Sequence, residues 1–127
     1  MKKVNITYWL FVLISLVSTK VSAHDIEADA NGVTIYYNWI NNKTELAVSI
    51  RGTTYSEYKN EYSGNIVIPE SVSYEGETYP VTSIGNSAFR DCSGLTSVSI
   101  PNSVTSIGEY NQEIKGKTNV EIIPVIA

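Results

Sequence analysis

Any chemistry in this 127-residue chain would come from carboxylates, one thiol, one imidazole and a group of tyrosines. Acidic pairs at short spacing include Glu75 with Glu77 and Glu57 with Glu61. Glycoside hydrolysis needs two carboxyls held across a cleft, one of them desolvated so that it keeps its proton. Both pairs fall in short polar segments and read as solvated charges. Cys92 is the single cysteine, so no intramolecular disulfide or thiolate zinc cluster can form, and its place between Phe89 and Leu95 reads as a small buried apolar group. His24, the single histidine, has no second ligand at metal spacing and reads as part of a disordered terminus. No phosphate-cradling loop or nucleophile elbow is present. The expectation is a non-enzymatic chain with no catalytic residue, no metal ligand and no cofactor.

Tyr55, Tyr58 and Tyr62 are the candidate ligand-binding residues. Exposed tyrosines contact proteins and sugar rings through a rigid ring with a polar tip. The competing use is internal: one or more of them packs an N-terminal hairpin onto the first repeat.

These residues have to be positioned by whatever follows the first 23. Lys2 and Lys3 precede an apolar run from Tyr8 to Val17, and Val21-Ser22-Ala23 supplies small residues before a cleavage point. The run is shorter than the roughly 20 residues of a spanning helix. Residues 1–23 therefore read as a signal peptide cleaved after Ala23, which makes the chain secreted or cell-surface and leaves no transmembrane span. The remaining 104 residues carry 13 acidic and 6 basic side chains, a net charge of −7. The basic residues are scattered, which argues against nucleic acid or anionic membrane as partners.

An internal repeat organises that remainder. Val81-Thr82-Ser83-Ile84-Gly85 recurs unchanged as Val104-Thr105-Ser106-Ile107-Gly108, an offset of 23 residues. Upstream, Ile66-Val67-Ile68-Pro69 matches Val98-Ser99-Ile100-Pro101 at an offset of 32, so the first copy carries a 9-residue insertion, with Glu75-Gly76 as the turn of a small hairpin. Val98 and Ile100 point to one face of a strand, and Pro101 removes a ladder donor. Gly85 and Gly108 sit where a tight corner favours a residue without Cβ, and Ala88, Phe89, Cys92 and Leu95 supply inward rungs. Each coil can bury its apolar edge only against a neighbour.

The pattern Phe89-x-x-Cys92-x-x-Leu95-x-x-Val98-x-Ile100-Pro101-x-x-Val104-x-x-Ile107-Gly108 resembles the leucine-rich repeat of BspA-like bacterial surface proteins. The resemblance implies a mainly β fold, a leucine-rich-repeat β-solenoid of short 23-residue repeats over residues 64–110. It also implies export and adhesive binding of a host or neighbouring-cell protein or glycan.

Residues 33–40 and 45–51 read as two strands joined by Asn41-Asn42-Lys43-Thr44, a β-hairpin cap within residues 24–63 that would pair with the edge of the first coil. At the other end, the period predicts Ala, Phe and Cys at 111, 112 and 115, where the chain has Asn111, Gln112 and Lys115. The repeat is expected to stop after Tyr110, leaving 111–127 as a non-repeat tail. Two readings follow from this: a short exported binding module, or a truncated, non-functional or structural fragment of a longer repeat surface protein of the same kind.

Overall fold

A computed structural model describes residues 24–52 and 61–114. Among these residues, apart from a single 3-10 turn at Gln112–Ile114, every regular element is a strand. They run β1 (Ile26–Ala30), β2 (Val33–Ile40), β3 (Glu45–Val48), β4 (Gly64–Val67), β5 (Ser71–Tyr74), β6 (Glu77–Ile84), β7 (Leu95–Ser99) and β8 (Ser106–Ile107). Residues 1–23, expected to be a signal peptide, lie outside the described residues, as do Tyr55, Glu57, Tyr58 and the tail beyond Ile114.

The first three strands form an antiparallel meander with Ala30 opposite Val33 and Ile40 opposite Glu45. The second turn is the asparagine-rich one expected from the sequence, with Asn41, Asn42 and Lys43 all at positive φ. Asparagine tolerates that conformation because its short polar side chain bonds locally. Strand β3 is shorter than the expected 45–51, although Ser49 continues the ladder by donating its N–H to the Tyr36 carbonyl at 2.7 Å. Strand β1 is an addition to the sequence reading. Asn31-Gly32, at φ 52° and 81°, is the two-residue turn that closes it onto β2.

The repeat appears in space as parallel pairing at its own offset. Ser83 pairs with Ser106 and Ile84 with Ile107, 23 residues apart, while Ile66 pairs with Val98 and Val67 with Ser99, 32 apart. The meander joins the first of these ladders, since β3 runs parallel to β6 with Leu46 opposite Val81 and Val48 opposite Ile84. The predicted insertion is the β5–β6 hairpin, with Ser71 opposite Pro80 and Tyr74 opposite Glu77 around Glu75-Gly76. Both turn residues have positive φ, 48° and 83°, which matches the right-handed twist of the flanking strands.

The inward rungs are those the spacing picked out. Ile84, Ala88, Phe89, Cys92, Leu95, Val98, Ile100 and Ile107 are all buried, and Val104 is half-buried against them. They share one core with Ile35, Tyr37, Leu46, Val48 and Tyr62 from the N-terminal strands. Burial of each large apolar side chain contributes about 1.5–3 kcal/mol, so this continuity is what fastens the meander to the repeats.

The repeat glycines need a different explanation from the one their corner position suggests. Neither Gly85 nor Gly108 is at positive φ; the left-handed corner residues are Ser87 (φ 63°) and Tyr110 (φ 60°), themselves 23 apart. Glycine is required instead by close approach between coils. A Cβ on Gly108 would lie 2.7 Å from the Asn86 nitrogen, and one on Gly85 would lie 2.9 Å from the Val48 carbonyl oxygen.

Structural register also outlasts the sequence match. Beyond Tyr110 the chain keeps step with the preceding coil to Ile114: the Asn111 side chain meets the Phe89 N–H, and Glu113 accepts the Asp91 N–H at 3.0 Å. Ile114 is fully buried. The expected stop at Tyr110 is thus a change of side-chain chemistry within a continuing path.

Candidate interaction surface

Of the three tyrosines proposed as contact residues, only Tyr62 is described, and it is fully buried. Its hydroxyl donates to the Ser49 carbonyl at 2.6 Å and accepts the Tyr36 N–H at 3.1 Å. Its ring packs against Phe89 at 4.9 Å between centroids. Burial pushes the Tyr62 hydroxyl well above its ordinary pKa. Tyr62 is therefore not an exposed contact residue; it takes the competing internal role, joining β2 and β3 to the first repeat.

The groups weighed for chemistry are dispersed. Glu75 and Glu77 are exposed at the hairpin tip. Glu61 is half-buried; burial raises its pKa, while the nearby Arg51 charge and a hydrogen bond with the Tyr36 hydroxyl lower it. Cys92 is buried, and burial likewise raises its thiol pKa. His24 departs from expectation, because it is ordered by specific contacts. Its Nδ1 donates to the Arg51 carbonyl at 2.8 Å, its Nε2 lies 3.4 Å from Glu27, and its ring meets Tyr36 edge-on at 4.7 Å. Among the described residues no three His, Cys, Asp or Glu side chains converge as metal ligands, and no helix is long and apolar enough to cross a membrane.

Among the described residues, two surfaces stand out as open to a partner. One is the outward row of β4 and β7, where Asn65, Val67, Ser97 and Ser99 are exposed between the buried Ile66 and Val98. Ser97 donates to Asn65 Oδ1 at 2.9 Å, so neighbouring rungs fix each other's polar atoms. Small side chains leave this face flat and let a ligand approach the sheet. The second is an aromatic group in which the Trp39 ring lies 4.7 Å from Tyr79 and 5.9 Å from Tyr74, all three half-buried. Sequence reasoning missed it because Trp39 is 35 residues from Tyr74; the signal was the alternation that places Trp39 on the same face of β2 as Tyr37 and Ile35.

No curated protein matches the chain. A leucine-rich repeat protein from Bacteroides ovatus ATCC 8483 superposes with a TM-score of 0.58 at 26% identity, over 77% of this chain and 24% of its own. One from Bacteroides capillosus ATCC 29799 aligns with a TM-score of 0.46 at 27% identity, over 72% of this chain and 63% of its own. The chain thus spans about a quarter of the first protein and under two thirds of the second. Residues 55–122 match the BspA type leucine rich repeat region, more than half of the sequence, and the chain belongs to that family.

Proposed function

We propose that this chain is an exported, non-enzymatic binding module, working in secreted form or at the cell surface, whose coils stack as a short solenoid behind an N-terminal hairpin cap. The observation that carries this reading is the pairing of Ser83 with Ser106 and Ile84 with Ile107 at the repeat offset, which makes each coil a platform for the next. Family membership supports a protein-binding repeat module. The exposed row Asn65, Val67, Ser97 and Ser99 is the face such a module offers, and its ligand is a protein or a glycan of the surroundings. Export rests on the sequence pattern of residues 1–23.

Pull-down of extracellular-matrix proteins and a glycan array, each run with the folded protein and with Val67→Glu and Ser97→Glu variants, test this reading. Capture that is weakened by these substitutions supports it. Clean negatives on both platforms for a folded sample count against it.

A second reading is that the chain is part of a longer repeat protein of the same kind. It is favoured by the match to 24% of the Bacteroides ovatus protein. Further Ile-Pro-x-x-Val-x-x-Ile-Gly units in the downstream DNA would support it, and a clean intergenic stretch would count against it.

A further inference from the structure

The hydrogen-bonded path of the larger sheet runs β1-β2-β3-β6-β5, so β1 and β5 are its two ends. Both ends line one cleft of about 390 Å³, with Ala28 and Ala30 on the β1 side and Ser71 and Ser73 on the β5 side. Among the described residues neither strand pairs with a further strand on its outer edge. Such edges hold N–H and C=O groups that seek partners, and they are commonly guarded by lysine, proline or a bulge. No lysine lines this cleft; Pro69 does, but it lies before β5 and removes no donor from that strand, and the alanines and serines leave both backbones approachable.

We propose that this cleft receives an extended segment of a partner protein, pairing as an added strand with an edge of β1 or β5. The proposal rests on the protein-binding reading above and gives it a site. Strand addition uses main-chain hydrogen bonds for affinity and alternate side chains for specificity. Strand β5 is four residues long, so the bound segment is about four residues at about 3.3 Å each.

Three features state what that segment carries. Val67, an exposed large apolar residue beside the cleft, offers contact to an apolar side chain. Asp29 is the charged residue of the lining, in a chain of net charge −4, which favours a basic side chain next along. Tyr37 also lines the cleft, and its buried hydroxyl has no hydrogen-bond partner. A buried polar group left unpaired is costly, and a carbonyl or hydroxyl entering with the ligand would satisfy it.

The test pans a phage-displayed library of linear random peptides on the full chain, then titrates synthetic copies of the enriched peptides. The expected result is peptides alternating apolar and basic residues, with Kd raised at least tenfold by Ala28→Phe, which fills the cleft, and by Val67→Lys, which removes the apolar contact and repels a basic side chain. Val67 is a surface position, so Val67→Lys decides the matter if Ala28→Phe does not fold. Failure to enrich any peptide, or enriched peptides whose binding neither substitution changes, overturns the proposal. Matrix-protein or glycan capture that persists in that case leaves the binding module standing and removes only this site.

Discussion

The Asn111 side chain accepts the Phe89 N–H at 2.8 Å, at the position where the preceding coil carries Ala88. Its Nδ2 donates to the carbonyls of Gly85 and Gly108, each at 3.0 Å. One polar side chain thus ties the backbones of two successive coils, in a site that is itself buried. Substituting Asn111→Ala restores the repeat's own residue and yet is expected to destabilise by about 1–3 kcal/mol, because buried backbone groups lose their partner. Urea unfolding followed by circular dichroism measures this. An unchanged midpoint would mean that water replaces the amide at no cost.

Tyr62→Phe removes the hydroxyl that bridges Tyr36 N–H and Ser49 C=O while keeping the ring on Phe89. A loss of about 1–3 kcal/mol is expected because the buried Tyr36 N–H loses its acceptor. Tyr62→Ala also opens a cavity, and about 3–5 kcal/mol is expected. Equilibrium denaturation of both variants separates the hydroxyl from the ring.

Gly108→Ala is expected to cost about 1–3 kcal/mol, since its Cβ would press on the Asn86 nitrogen and the Gly85 carbonyl carbon, which are backbone atoms. Gly94→Ala is the control. Its Cβ would meet the Ser63 Cβ at 3.3 Å, a contact relieved by a small shift. Thermal unfolding of the pair should show the larger drop in Tm for Gly108→Ala, and equal drops would remove the argument from close approach.

Much of this was legible in the sequence, and the boundary of legibility is physical. The 23-residue and 32-residue offsets became strand pairings because parallel coils must align like side chains to bury them. Glu75-Gly76 and Asn41-Asn42-Lys43-Thr44 were readable because a tight turn constrains its own few residues. Strand β1 went unread although Asn31-Gly32 announces it, since its inward residues after Ile26 are the small Ala28 and Ala30. Tyr62 misled because a polar neighbourhood in sequence says little of a ring that folds inward between distant strands. Asn111 hid the continuing path because a polar side chain there does by hydrogen bonding what an apolar one does by packing.

Stability is expected to fall as pH rises through the carboxylate range on account of Glu61. Burial, its largest influence, raises the folded-state pKa above the unfolded value near 4.5. Between those two values the unfolded chain has lost a proton that the folded chain still holds, so the contribution is fully favourable below 4.5 and is lost as pH climbs past the folded value. Glu61→Gln should therefore gain more over the parent protein at pH 7 than at pH 4. Denaturation curves at the two pH values check the sign, and a gain that is larger at pH 4 would reverse it.

The β5–β6 hairpin leaves the coil at Ser71 and comes back opposite it at Pro80. A detour that departs and returns at one point adds length without adding phase: Ile84 still meets Ile107, as though the detour were not there. A change in the length of this excursion therefore leaves the coil pairing in step. Adding a single residue within Val81–Gly85 has no such shelter, because it turns the inward side chains of the strand toward solvent. Tolerance to insertion in this chain is thus set by where the path closes on itself, and only secondarily by how many residues are added.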